Sequence, residues 1–423
     1  MVAPATPTHS PTPPQLPPPP SRIPSPATAR GLIIVLGALT AVAPLATDMY
    51  VPGFPALGRA MHASSSAVQL TMTAFLAGLV VGQLIIGPIS DGIGRRRLLI
   101  GGATGFTLFS VACAIAPNIA VLTGARFLQG VTGGAGMVLA RAVLTDRFHG
   151  VELPRYFALL SQIMGIAPIA APIIGGAVLS ISTWRAVFAV LTAMGIALLL
   201  GVLRKVPESL PPERRQRNGL ASTFRAMGTL LRHRAFMGYV LALGFASAAL
   251  FTYIAGSSFV FEDIHGVSAS TYSLIFATNA VGMLIAGAVF SRLSPHMRLN
   301  TLLTAGVAIA LVGTAAQVAL RLTLGETLAS TWITLFITVA GIGLILPASM
   351  SIGQAVTRQA PGAASALLGG LQFLLGALAS PLVGLFGTSS SLPMAAIMLI
   401  AMAAALLALF GLARPWEGSG EPK

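Results

Sequence analysis

Between two long apolar runs stands the stretch GPISDGIGRRRLLIGG, Gly87 to Gly102. Glycines at 87 and 94 permit a tight turn, and Asp91 sets an acid at the end of the preceding helix. Arg95, Arg96 and Arg97 follow, where the chain turns apolar again. Each such cation costs about 2.5–3.5 kcal/mol at the centre of a bilayer, so the turn is pinned to one side of a membrane. The flanking runs, 66–90 and 98–116, each approach the ~20 residues that a helix needs to cross hydrocarbon. The stretch therefore reads as the tip of a transmembrane hairpin.

The same alternation extends over the chain. Of its 423 residues 55% are hydrophobic and only 9% charged, with a mean hydropathy of +0.85, outside the range of soluble domains. Apolar runs fall at 31–53, 66–90, 98–116, 120–145, 156–181, 184–203, 236–259, 269–292, 299–320, 330–352, 362–387 and 391–412. The expected fold is an all-α membrane protein of twelve spans in two six-helix halves, 31–203 and 236–412. A hydrophilic segment, 204–235, joins the halves; its part from Leu220 to Arg234 has apolar residues near helical spacing and suits the membrane surface. Residues 1–30 hold eleven prolines and read as a disordered tail, and 413–423 as a second tail. The run after Arg30 ends in YVPGFP rather than a small-residue cleavage site, so span one is expected to remain as an anchor.

A net charge of +14 invites a nucleic-acid partner, but the placement of the cations argues against one. With the N-terminus in the cytoplasm, twenty of the twenty-five Lys and Arg fall in cytoplasmic segments or helix ends. Only Arg59, Arg185 and Arg321 lie on the other side, while Arg126 and Arg141 lie within a span. That is the positive-inside asymmetry, and it implies cytoplasmic termini and an even number of spans; a bacterial-type inner membrane is the expected location. Cys113 stands alone in a span, without disulfide partner or metal-ligand spacing. No intramembrane His pair, Ser–His set or carboxylate pair suggests an enzyme, and no phosphate-cradling loop suggests ATP.

Acids are scarce, eleven in all, and one of them, Asp48, stands inside the first run in PLATDMYVPGFP. Counted from the ends of spans one and four, Asp48 and Arg126 lie at equal depth, roughly 9 Å inside the outer boundary. Gln129, three residues on, shares the face of Arg126. One reading makes Asp48 a reversible proton site, its affinity set by desolvation against a nearby guanidinium. The others are a static structural pair, or an interfacial Asp48 that meets Arg59.

The Gly87–Gly102 string resembles the loop motif of the major facilitator superfamily, Gly-x-Leu-x-Asp-Arg-x-Gly-Arg-Arg, with Ile89 for Leu and Gly92 for the first Arg. The resemblance implies a conformational latch of Gly87, Asp91, Gly94, Arg95, Arg96 and Asp146. In it Asp91 meets the start of span eleven near Gly362 and Ala363, and Arg95 pairs with Asp146. SQIMGIAPIAAPIIGGAVL, Ser161 to Leu179, resembles the span-five antiporter motif through Pro172, Gly175 and Gly176, with Ala171 for its first Gly and a second proline at Pro168. A Pro-x-x-Gly match between APIIGG and SPLVGL, offset by 209 residues, fits two repeats. Strings such as ATDMYVPGFPAL, RFLQGVTGGAG and FATNAVGM resemble the bicyclomycin/chloramphenicol-resistance (Bcr/CflA) group of drug:proton antiporters over roughly 46–373.

Membership implies the major facilitator fold and alternating access. It makes Asp48 the proton carrier, with Arg126 and Gln129 as partners, and needs no cofactor beyond the proton gradient. Small amphipathic or lipophilic substrates are the expected partners, with protons and membrane lipid, and the expected state is a monomer. Tyr50, Gln162, Tyr253, Phe259 and Asn279 are the candidates for the substrate cavity, with ordinary packing as the competing role of each. Met137 and Met164 read as gap-fillers. Proton-coupled uptake by the same fold, or a non-transporting scaffold or sensor, are the alternative functions.

Overall fold

Six of the twelve spans start after a small polar residue, Ser64, Asn118, Thr183, Ser268, Thr327 or Ser391, and all six starts lie at the same end of the molecule. Ser64, Asn118, Ser268 and Thr327 use their side-chain oxygens to accept a first-turn N–H, which the helix itself cannot satisfy. At the other end stand Arg95–Arg97, Arg204, Lys205, Arg234, Arg292 and Arg298. The bundle thus has a basic end and a capped end.

The computed structural model describes residues 26–148, 152–215, 225, 227–357, 361–387 and 389–418. The tail expected over 1–30 falls almost wholly outside these residues, as do the first residues of the surface helix expected from Leu220. The N-terminal half comprises α1 (Pro26–Asp48), α2 (Phe54–Met61), α3 (Ser65–Ile93), α4 (Arg95–Ala114), α5 (Ile119–Arg147), α6 (Glu152–Ile181) and α7 (Trp184–Lys205). The C-terminal half comprises α8 (Arg234–Ser258), α9 (Ala269–Leu293), α10 (Leu299–Thr323), α11 (Leu328–Val356), α12 (Pro361–Ala379), α13 (Leu382–Leu385) and α14 (Leu392–Ala408). Among the described residues twelve helical segments are long and apolar enough to span a membrane.

Two spans are prolonged by irregular turns. After α1 a 3₁₀ turn, Val51–Gly53, leads into α2, so the first span runs from Arg30 to Met61. Asp48 then stands thirteen residues before the end (61 − 48), not about six, and lies deeper than the sequence suggested. After α8 a π-helical turn, Phe259–Ile264, carries span seven on to Ile264.

Glycines set the closest contact of the first half. A methyl at Gly78 or Gly82 of α3 would overlap the carbonyl oxygens of Phe127 or Val131 on α5. One at Gly130 of α5 would overlap the Phe75 carbonyl of α3. These reciprocal small-x-x-x-small pairs bring two backbones into contact, as is common where helices meet in lipid.

The halves meet through α6 against α9 and through α3 against α12, a pseudosymmetric arrangement. It agrees with the 209-residue offset of the Pro-x-x-Gly strings. Gly176 of α6 lies against Ser273 and Ala269 of α9, and Gly384 of α13 against Ser66 of α3. Prolines 168 and 172 remain inside a continuous α6, whereas the repeat partner breaks at Ser380–Pro381. At the capped end the halves also touch through Phe54 and Phe259, ring centroids 6.2 Å apart, and through Arg59 and Asp263 at 3.3 Å.

Candidate functional site

Where the halves face each other they enclose a cavity of about 220 Å³. Its wall is nearly all apolar: aromatic rings of Phe251, Phe276 and Phe373, thioethers of Met137, Met164 and Met283, and aliphatic side chains such as Leu76 and Ile254. Thr47, Asp48 and the Tyr253 hydroxyl supply its polar side chains. Asp48 is the one ionisable acid in that wall, and is itself 4% exposed. The Thr47 hydroxyl donates to its Oδ1 at 2.9 Å.

The expected Asp48–Arg126 pair is absent among the described residues. Arg126 points into the body of the first half, fully buried. Its Nη1 donates to Gln129 Oε1 at 2.6 Å, and Gln129 Nε2 donates to Ser110 Oγ at 2.7 Å. The guanidinium carbon lies 4.3 Å from the Phe75 ring centre, 5.0 Å from Tyr50 and 5.7 Å from Phe188. A planar, weakly hydrated cation can be held by ring faces in this way without a carboxylate. Nε and Nη2 make no hydrogen bond. The two differ in depth, since Asp48 stands thirteen residues from the capped end of its span and Arg126 seven (126 − 119), and they differ in facing: Asp48 lines the cavity and Arg126 the cage.

The cage corrects a second expectation. Tyr50 is fully buried inside the first half, its hydroxyl 3.1 Å from Thr71 Oγ1, and does not line the cavity. Phe259 belongs to the capped-end contact with Phe54. Gln162 is exposed and outside the lining. Tyr253 does line it, stacked on Phe276 at 5.2 Å. Asn279 stands one layer behind: its Nδ2 donates to the Tyr253 hydroxyl at 3.0 Å, and its Oδ1 is unpartnered. Met137 and Met164, read as gap-fillers, face the cavity with Pro168. No sequence signal separates the cavity-facing Leu and Phe of these helices from those that face lipid.

At the basic end, the expected Arg95–Asp146 pair is present, Nε to Oδ2 at 3.2 Å. Asp91 does not reach the start of α12 among the described residues; its partner is Arg95, one turn on, at 2.6 Å. Gly94 has φ +103°, and a side chain there would collide with Glu208. Glu208 was not foreseen. From the segment after α7 its carboxylate accepts the N–H groups of Arg95 (2.9 Å) and Arg96 (3.3 Å), and so caps α4 from another part of the chain. It also accepts from Ser209 and Leu210. Burial pushes this carboxyl up, but the four backbone donors outweigh it and hold the group below the usual glutamate value. Arg96 completes the corner by donating to the carbonyls of Val206 and Leu203.

Two six-span halves around a central cavity, with this loop at the basic end, match one family model, Major Facilitator Superfamily, over residues 36–380. The chain belongs to the major facilitator superfamily. It is similar to an uncharacterised MFS-type transporter, YdgK, of Bacillus subtilis (strain 168), 40% identical over 389 residues, covering 92% of this chain and 96% of that protein. It is 29% identical over 365 residues to a bicyclomycin resistance protein homologue of Haemophilus influenzae, covering 86% and 91% of the two chains. Among solved structures it is similar in fold to a bacterial homologue of the human lysosomal transporter Spinster, inward-facing and unoccupied: TM-score 0.71, 16% identity, 94% and 98% of the chains covered. This major facilitator protein is accordingly a transporter and not an enzyme.

Proposed function

We propose that this transporter is a drug:proton antiporter, which exports small amphipathic or lipophilic compounds in exchange for protons. The observation that carries the proposal is Asp48: one acid facing an apolar chamber between two halves that are able to rock. A carboxylate in such a place is held when water reaches the chamber and is disfavoured when an apolar ligand or closure expels the water. Closure therefore favours the protonated acid, whereas the cationic end of an amphipathic substrate pairs with the carboxylate and displaces the proton, so the two compete for Asp48. The membrane potential supplies ~2.3 kcal/mol per 100 mV for each proton that enters. The name of the Haemophilus influenzae relative supports export of drug-like compounds.

The Arg-rich end is the cytoplasmic end in this reading, so both termini are cytoplasmic and the capped end faces outward. The contacts between the halves at the capped end close the chamber from outside in this arrangement. Arg126 and Gln129 stand behind Tyr50, and the 94–96/Glu208/Asp146 corner ties α4 and α5 to the segment after α7 at the cytoplasmic end. The protein works as a monomer in the inner membrane and needs no cofactor.

The test uses everted vesicles that are energised and then given a lipophilic cationic fluorescent dye. Parent protein expels protons when the dye is added and accumulates dye. Asp48→Asn is expected to lose accumulation against a gradient while still binding dye. Parent-like accumulation by Asp48→Asn contradicts the assignment, and proton movement in the same direction as the dye establishes symport instead.

A further inference from the structure

Gln69 of α3 is fully buried at the capped end, and its side-chain amide crosses from the first half into the second. Its Nε2 donates to the carbonyl oxygen of Ala255 on α8 at 3.2 Å. Its Oε1 accepts the backbone N–H of Gly384 on α13 at 2.8 Å. Each of these backbone groups is free for a local reason. Where α8 passes into the π-helical turn, the N–H of Phe259 bonds Gly256, three residues back, and so leaves the Ala255 carbonyl without its usual helical partner. The break at Ser380–Pro381 restarts the chain as α13, and Gly384 falls in that first turn, whose N–H groups have no partner within the helix.

Two irregularities in separate spans therefore each release one backbone group, and one amide from the opposite half satisfies both. The Ala255 bond is buried and the Gly384 bond partly buried; backbone groups shielded from water are costly to leave unpaired, so both bonds favour the state in which the halves touch at this end. Gly384 makes the approach possible: a methyl there would overlap the backbone of Ser66 and crowd the Gln69 oxygen. Ion pairing of Arg59 with Asp263 is exposed, 70% and 43%, and is worth little by comparison.

We propose that Gln69 is the latch of the capped-end gate, a positioning residue that sets the equilibrium between the closed and open arrangements of that end. Opening requires both bonds to break and water to enter. The inference rests on the rocking of the halves that the proposed function assumes. It is read as a distance rather than as transport, so a failed efflux assay leaves it standing.

The experiment places spin labels at Ile181→Cys and Leu324→Cys, exposed residues at the capped end of the two halves, in a Cys113→Ala background. The distance distribution is measured in the full-length protein. Gln69→Met keeps the length of the side chain and removes both hydrogen bonds. It is expected to raise the long-distance population roughly tenfold relative to the parent, the effect of two ordinary hydrogen bonds. A folded Gln69→Met protein with the parent's distribution overturns the proposal, because packing alone would then account for the residue. Should that variant fail to fold, Gly384→Ala decides in its place: wedging the same contact is expected to lengthen the distance, and a parent-like distribution overturns the proposal.

Discussion

Arg126 carries a buried charge whose nearest company is three aromatic rings and one amide oxygen. A lysine in its place would keep the charge and lose the planar surface that the rings face. Arg126→Lys is expected to lower stability by about 1–2 kcal/mol, read as a lower Tm in detergent, with export lost in the same variant. An unchanged Tm would show that the rings contribute nothing. Asp48 and Arg126 were both legible in the sequence, because a charge in an apolar run announces itself. Their relation was not, since the 3₁₀ turn that prolongs span one upset the count of depth and azimuth cannot be counted at all. The cage draws Tyr50, Phe75 and Phe188 from three segments, and no local pattern joins them.

Helix ends and helix contacts carry the next level of the account. The small residues that bring α3 and α5 together, Gly78-x-x-x-Gly82 and Gly130-x-x-x-Gly134, were not singled out in the sequence, because nothing in the strings says which helix each glycine faces. Gly130→Val would drive a branched side chain into the Phe75 carbonyl, and is expected to abolish accumulation of folded protein in the membrane, as measured by fluorescence-detected size exclusion. Parent-like yield would contradict the packing. At the basic end Glu208 caps α4 across a gap of more than a hundred residues, and such a partner cannot be read from the loop itself. Because its folded pKa lies below the ordinary glutamate value, its contribution is complete above about pH 4.5 and fades as pH falls through the lowered value. Glu208→Gln is therefore expected to cost about 1 kcal/mol at pH 7, in the range of a lost helix cap. The gap between parent and variant Tm should narrow below pH 4, and a gap that persists there would contradict the role of the charge.

Two halves, twelve spans and a basic end follow from period, length and charge placement, which are properties that a sequence carries in full. The central chamber does not follow, because its Leu, Phe and Met side chains are of the same kinds as those that face lipid. Orientation is testable directly: in intact cells, Ile181→Cys is expected to react with a membrane-impermeant maleimide and Arg232→Cys only after permeabilisation. The reverse pattern would invert the molecule and the direction of export with it. The central claim, that Asp48 holds either a proton or the cationic end of an amphipathic compound, has a direct test in purified protein in unbuffered detergent solution. Adding a saturating lipophilic cation near neutral pH is expected to release up to one proton per parent molecule and none from Asp48→Asn. Equal release from both proteins would place the exchanged proton elsewhere and contradict the account.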